Sequence, residues 1–261
     1  MKLSDYVWKY VEELGVKHVF MFPGGGAMHL VDSLGRNGKL EYVTLLHEQA
    51  CAMAAETYSR IAYNLGVALV TTGPGGTNTV TGVAAAWLES TPMLIISGQA
   101  KTSDLKDGYG VRQRGNQEIG IVDIVSSITK YAVTIKEPNK IKYHLDKAVY
   151  EAKNGRPGPV WLDIPLDVQG ADIKEEDLVG YEPNKPQEIS DGSNIEDICK
   201  VVSLLKQAKK PIIIAGQGIE RRNGKELFRQ LVETLRIPVL CSWIAVELLE
   251  YNHECNLGKP G

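Results

Sequence analysis

Leu45-Leu46-His47-Glu48-Gln49-Ala50-Cys51-Ala52-Met53-Ala54-Ala55-Glu56 sets one carboxylate between two runs of different habit. Upstream, Tyr42-Val43-Thr44-Leu45-Leu46 is apolar and reads as a buried strand. Downstream, residues 49–62 read as a helix with a small-residue face suited to close packing. Glu48 therefore stands at a strand's carboxyl end and in a helix's first turn. Open α/β sheets take ligands at those ends. A carboxylate enclosed there suits proton transfer. The same placement also describes an ordinary first-turn acid favoured by the helix dipole. The segment alone leaves both readings open.

Outward from this point, strand and helix patterns alternate to about residue 165. Strands are predicted at 18–22, 41–46, 67–72, 92–97, 131–135 and 160–164. Helices are predicted at 27–35, 49–62, 77–89, 120–128 and 140–153. An amphipathic helix over 4–14 precedes them, with Tyr6, Val7, Tyr10, Val11 and Leu14 on one face and Gly15 placed to end it. The alternation predicts an α/β fold with a mainly parallel sheet and helices on both faces.

The pattern then changes. Residues 166–194 are polar and turn-rich, with Lys174-Glu175-Glu176-Asp177, Pro183, Pro186 and Asp191-Gly192-Ser193-Asn194. A second α/β pattern follows, with helices at 195–207 and 224–235, a strand after Pro211 and another at 238–241. So few elements leave apolar surface uncovered. The expected organisation is a first domain at 1–168, a linker at 169–194 and an incomplete α/β domain at 195–261. Gly216-Gln217-Gly218 fits a tight strand–loop turn better than a nucleotide loop.

Composition narrows the function classes. The 261 residues are 43% hydrophobic and 23% charged, with a formal net charge of −3. No basic stripe points to nucleic acid or an anionic membrane. Apolar runs such as Pro92-Met93-Leu94-Ile95-Ile96 are too short to span a bilayer, and the amino terminus lacks a signal peptide's apolar core. Cys51, Cys199, Cys241 and Cys255 have no CxxC spacing, which argues against zinc or disulfides and fits a reducing, cytoplasmic setting. The histidines show no metal-ligand spacing, so His47 and His144 are expected to be hydrogen-bonded structural residues.

Three glycine-rich segments add specificity. Pro23-Gly24-Gly25-Gly26 follows the strand-like His18-Val19-Phe20-Met21-Phe22. Thr71-Thr72-Gly73-Pro74-Gly75-Gly76-Thr77-Asn78 follows Val67-Ala68-Leu69-Val70. Gly155-Arg156-Pro157-Gly158-Pro159-Val160 leads into Trp161-Leu162-Asp163-Ile164-Pro165. Taken alone, each is a turn that lets backbone approach closely. The second lacks the Lys-Ser/Thr pair of a phosphate loop. With His47-Glu48-Gln49, in this order and spacing, they resemble the N-terminal, pyrimidine-binding part of thiamine-diphosphate-dependent enzymes, nearest to the acetolactate synthase branch. The resemblance is strong over about residues 1–170 and weak over 195–261.

The resemblance implies roles. Glu48 would bond N1′ of the cofactor's aminopyrimidine, favouring the imino tautomer that removes the thiazolium C2 proton. Pro23, Gly24, Gly25, Thr72, Gly73, Pro74, Gly75 and Asn78 would line the cofactor. Gln117, in the Gln117-Glu118 pair, would touch substrate or intermediate, and Arg156 would approach FAD in a flavin-containing member. The implied activity is that of a carboligase (a transferase) or decarboxylase that takes an acetaldehyde unit from a 2-keto acid such as pyruvate. Such enzymes hold diphosphate and Mg²⁺ through a Gly-Asp-Gly segment followed by Asn, in a C-terminal domain. This sequence has no such segment, so that domain is expected in cis or in trans, and this chain alone is expected to be inactive.

A homodimer or higher homo-oligomer is also implied. It agrees with the small residues Ala50, Ala54, Ala55, Gly82, Ala84, Ala85 and Ala86. Departures from the synthase pattern occur at Asn116 (usually Phe), at Leu166 (usually Lys) and across 104–114, where Arg112 and Arg114 are readable as solvent-facing or as anion-recognising. Of the two readings of these arginines, solvent-facing is the default, and the departures leave the implied cofactor intact while setting the acetolactate product in question. The alternative is a non-catalytic binding or assembly subunit that docks to a partner carrying the diphosphate domain.

Overall fold

The computed structural model describes residues 1–62, 64–183, 194–221 and 224–260, with only the main chain of Arg221. It forms two units, Met1–Pro186 and Gln187–Gly261. The strands of the first unit are β1 (His18–Met21), β2 (Glu41–Thr44), β3 (Gly66–Val70), β4 (Met93–Gln99), β5 (Tyr131–Thr134) and β6 (Pro159–Pro165). Its helices are α1 (Leu3–Glu13), α2 (Met28–Asn37), α3 (Glu48–Ala62), α4 (Pro74–Thr77), α5 (Val80–Leu88), α6 (Ile121–Val125), α7 (Ile141–Lys153) and α8 (Leu166–Gln169).

The six strands pair in parallel throughout, in the order β2-β1-β3-β4-β6-β5. Alternate side chains along a strand face opposite layers. Val67 and Leu69 of β3, Leu94 and Ile96 of β4, and Val160 and Leu162 of β6 pack with Leu3, Val7 and Trp8 of α1, Leu30 of α2 and Leu145 of α7. Ala68, Val70, Met93, Ile95 and Trp161 face the other way, against Cys51, Ala52 and Ala55 of α3, Val83 and Ala86 of α5, and Ile121 of α6. Helices thus cover both faces of a parallel sheet. Each fully buried large side chain contributes about 1.5–3 kcal/mol by leaving water. Trp8 adds an indole N–H donated to Leu30 O at 2.8 Å.

Three expectations need correction. The Tyr42–Leu46 segment is not a buried strand: β2 ends at Thr44, Tyr42 is 53% exposed and Leu46 96% exposed. β2 is an edge strand with a neighbour on one side only. The single helix at 77–89 is two, α4 and α5. Residues 169–183, expected to begin a linker, pack onto the first unit. There Ile173 and Leu178 join the core, Leu3 N–H donates to Ala171 O, and Tyr181 meets the rings of Tyr143 and Tyr150. The rest of the proposed linker, 184–193, lies outside the described residues.

Some of the small residues serve packing within the chain. A Cβ at Gly82 of α5 would lie 2.5 Å from the Ala52 Cβ of α3, so the two helices approach closely there. In the second unit, α9 (Ile195–Gln207), β7 (Ile213–Ala215), α10 (Gly218–Arg221), α11 (Lys225–Leu235) and β8 (Val239–Cys241) follow in order, and β7 and β8 pair in parallel. Phe228, Val232, Val239 and Leu248 make its core. Asn194 caps α9 by accepting the Glu196 N–H, yet α9 buries none of its residues. Space remains open around Gly216 and Gly218, so this turn has no close-packed cradle.

Candidate functional site

The carboxyl ends of β1, β2, β3 and β4 gather the predicted residues, all but Arg156, on one edge of the sheet. His47 starts α3: its Nδ1 accepts the Gln49 N–H at 3.1 Å and its carbonyl accepts the Cys51 N–H. That turn buries the Glu48 side chain, leaving the residue 7% exposed. Asn78 Nδ2 donates to Glu48 Oε2 at 2.9 Å. A charged acceptor strengthens such a bond. Burial, with the Glu48 charge as the next cause, pushes the nearby Cys51 thiol up to about 11.

Two glycine turns meet over Thr71. A Cβ at Gly24 would sit 2.5 Å from the Thr71 Cβ. A Cβ at Gly75 would sit 2.6 Å from Thr71 Cγ2 and 3.3 Å from Glu48 Oε1. Thr71 Oγ1 also accepts the Gly26 N–H at 3.1 Å, tying the segment after Pro23 and Gly25 to the end of β3. The second carboxylate oxygen of Glu48 thus lies close against the Gly75 backbone, where any side chain would clash with Thr71. Pro74 opens α4, and Gly73 before it has φ +62°. That left-handed value favours glycine. A Cβ on Gly73 would strike Gln117 O at 2.3 Å.

Gln117 therefore lies backbone-to-backbone against the Gly73 turn. Its own φ is +55°, a costly conformation for a non-glycine residue. The following residue holds it there. The Glu118 carboxylate accepts the N–H groups of Lys106 at 2.6 Å, Arg114 at 2.8 Å and Gly115 at 3.2 Å. Burial opposes the Glu118 charge, but these three donors outweigh it and hold the carboxyl below its ordinary value.

Sequence reasoning missed three contributors: Thr71, Gln99 and Asp163. Thr72 Oγ1 donates to Gln99 Oε1 at 2.8 Å, and Gln99 Nε2 donates to Ile119 O at 3.1 Å and to Asp163 Oδ2 at 3.0 Å. Asp163 also accepts Ser97 Oγ at 2.6 Å and Thr134 Oγ1 at 3.0 Å. Burial pushes its carboxyl up to about 6 against the pull of these three donors. The available signal was an acid in the apolar run Val160–Ile164 and a polar end, Ser97-Gly98-Gln99, to the apolar run before it.

Other candidates lie elsewhere. Arg156 precedes β6, at the amino ends of the strands, and donates from Nε to Ser90 Oγ at 2.7 Å. It borders a cavity with Trp87, Leu88, Lys130 and Pro157, on the opposite edge of the sheet from Glu48. Arg114 gives Nη1 to Ser103 O and Leu105 O and stacks 3.9 Å over the Tyr109 ring, a structural use. His144 pairs with the Tyr131 hydroxyl at 2.7 Å. Among the described residues, no cluster of three or more His, Cys, Asp or Glu side chains is placed to hold a metal, and no helix is long and apolar enough to cross a membrane. All four cysteines are free thiols.

Comparison with known proteins places these features in context. Residues 1–126 match the thiamine pyrophosphate enzyme N-terminal TPP binding domain, and residues 198–261 match the thiamine pyrophosphate enzyme central domain. The acetolactate synthase large subunit of Lactococcus lactis is 35% identical over 260 residues, covering 99% of this chain and 44% of that protein. That of Buchnera aphidicola is 33% identical over 262 residues, covering 99% of this chain and 44% of that protein. That of Corynebacterium glutamicum is 35% identical over 257 residues, covering 96% and 39% respectively. The chain thus spans less than half the length of these relatives.

Proposed function

We propose a role for this chain as what it is, a member of the thiamine pyrophosphate enzymes: it supplies the aminopyrimidine-facing half of a 2-keto acid carboligase of the acetolactate synthase type. The observation that carries this reading is Glu48, buried at the carboxyl edge of a parallel sheet and held through Oε2 by Asn78, with Oε1 beside the side-chain-free backbone of Gly75. A carboxylate acceptor held in that place fits the protonatable edge of an aminopyrimidine ring.

When bound, thiamine diphosphate supplies the carbon nucleophile and the electron sink for decarboxylation. This chain's residues do the rest at the pyrimidine end. Glu48 Oε1 shares a proton at N1′ and acts as the catalytic carboxylate. Asn78 fixes the carboxylate's rotation. Pro23, Gly24, Gly25, Thr72, Gly73, Pro74 and Gly75 wall the ring, and the fit depends on how closely the Gly24 and Gly75 backbones approach Thr71. Gln117, beside Gly73, reaches substrate.

Pyruvate is the proposed donor of the acetaldehyde unit, and the overall reaction is a transfer. Mg²⁺ and the diphosphate are assigned to a further domain, in cis or in trans, which makes this chain alone a half-site with little turnover. FAD is assigned to Arg156. A homodimer or larger assembly agrees with the apolar side chains that α3 and α5 leave exposed, Met53, Trp87 and Leu88. The free thiols fit a cytoplasmic setting. An assembly-only subunit would have no use for a buried carboxylate beside a close-packed glycine turn, so the catalytic reading is preferred.

The test is cofactor C2-proton exchange in the assembled enzyme. Glu48→Gln is expected to keep the fold and slow exchange by ~10²–10⁴-fold. Exchange at the wild-type rate removes the assignment.

A further inference from the structure

The network behind the site is polar where its neighbours are apolar. Ile95 and Trp161 are cross-strand partners, and so are Ser97 and Asp163 one step further along β4 and β6. Thr134 of β5 pairs with Asp163 from the other side. Thr134, Asp163 and Ser97 thus form one row across three strands, on the face that carries Trp161. Trp161 Nε1–H closes the row on Ser97 Oγ at 2.8 Å.

Burying such a row costs free energy unless every group is paired. Gln99 shows how fully it is paired. Its Oε1 accepts the Thr72 hydroxyl and the Ala100 N–H at 2.9 Å, and its Nε2 donates to Ile119 O and Asp163 Oδ2. The main-chain N–H of Ala100 and carbonyl of Ile119 fix which end of the amide is which. All four hydrogen-bonding functions of the carboxamide are spent.

Three of those bonds join Gln99 to separate segments, and the fourth, from the Ala100 N–H, is local. Thr72 leads into Gly73, Ile119 is two residues beyond Gln117, and Asp163 is anchored on β6 between β4 and β5. Gly73 and Gln117 are also where the two loops touch, and both hold positive φ. A left-handed Gln is uphill by itself, so neighbouring bonds must impose it. The Glu118 carboxylate restrains the stretch before Gln117, and Gln99 restrains the stretch after it.

We propose that Gln99, braced by the Asp163 carboxyl, is a positioning residue that holds Gln117 against the Gly73 turn and so sets where Gln117 meets the substrate. The proposal rests on the reading of Gln117 as a substrate contact. The network itself is testable without cofactor, so failure of one is separable from failure of the other.

The experiment is amide hydrogen exchange with backbone resonance assignment on this chain, for Gln99→Met, Asp163→Leu and Asp163→Asn. Met keeps the length of Gln and removes its four bonds. Leu keeps the shape of Asp and removes the brace. Asn retains an oxygen toward Gln99 and should rescue. In the Met and Leu variants, the amides of Lys106, Arg114, Gly115 and Glu118 should exchange about five- to ten-fold faster, the loss of one net hydrogen bond. Resonances of Gly73 and of residues 117–119 should shift, while β1 and α1 keep wild-type exchange.

The Asn variant should resemble wild type. Wild-type exchange and resonances at 115–119 in the Met variant would overturn the proposal. So would acceleration spread evenly over the sheet, or failure of the Met and Leu variants to fold, since either makes the row core adhesive only. A loosened loop in the Met and Leu variants, together with wild-type C2-proton exchange in Glu48→Gln of the assembled enzyme, would leave the positioning role standing and remove the cofactor reading.

Discussion

Replacing Asp163 by Asn isolates the effect of one buried charge. The groups acting on Asp163 are burial, which raises its affinity for a proton, and the three donors Ser97, Gln99 and Thr134, which lower it. Burial wins, and the carboxyl rises from 3.8 to about 6. The folded state therefore binds the proton more tightly than the unfolded chain does. Stability from this group is fully present below about pH 4 and is lost as pH rises through about 6. The gap between those values is worth about 3 kcal/mol. Asn cannot ionise, so the variant lacks this slope.

Other carboxyls work the opposite way: Asp32, Glu118 and Asp167 are held below their ordinary values and lose stability as pH falls. They are common to both proteins and cancel in the difference. The assay is urea unfolding from pH 4 to 8, with native-state hydrogen exchange of β4 and β6 amides to keep the first unit in view. The wild-type stability minus that of Asp163→Asn should fall by about 3 kcal/mol as pH rises. A difference flat to within about 0.5 kcal/mol, or one that rises with pH, would refute the burial argument.

Three further outcomes are expected. Gly75→Ala places a methyl 2.6 Å from Thr71 Cγ2 and 3.3 Å from Glu48 Oε1, so thermal unfolding should show a loss of about 1–3 kcal/mol; an unchanged melting temperature counts against the close turn. Glu118→Gln weakens the charged acceptor for three main-chain donors and should cost about 1.5–3 kcal/mol at pH 7 by urea unfolding. That cost should shrink at acid pH, because a carboxyl held low gives up its contribution as it protonates, so an equal cost at both pH values would contradict the assignment. Gly82→Ala should destabilise by about 1–3 kcal/mol through its 2.5 Å approach to Ala52, and adding Ala52→Gly should recover part of the loss in a thermal melt; strict additivity of the two changes would argue against the contact.

Local patterns made some of these features legible and left others hidden. Glu48 was readable because a strand-like run stops and a helix starts at one residue, and because the glycine turns follow other strands. The burial of β3, β4 and β6 followed from their mainly apolar runs. The exposure of Tyr42 and Leu46 was not readable, because strand order makes β2 an edge and strand order is a long-range property. Asp163 was missed although it is an acid in an apolar strand, because its partners lie on β4 and β5 and are set by register. The positive φ of Gln117 has no local sequence cue; bonds from Glu118 and Gln99 impose it. The packing of Ile173 and Leu178 was masked by the charged residues between them, Lys174-Glu175-Glu176-Asp177, which project outward while their apolar neighbours turn in.

Arg156 and Glu48 sit at opposite ends of strands that all run the same way. β6 alone is seven residues long, or about 23 Å at roughly 3.3 Å per residue. At physiological salt a charge is screened over about 8 Å, so neither side chain registers the other's substitution. Changes at the two positions should combine as independent increments in a double-mutant cycle. A change at the Arg156 end can therefore drift through evolution without disturbing the Glu48–Asn78 pair, and a single ligand that engages both must be long enough to span the length of the strands.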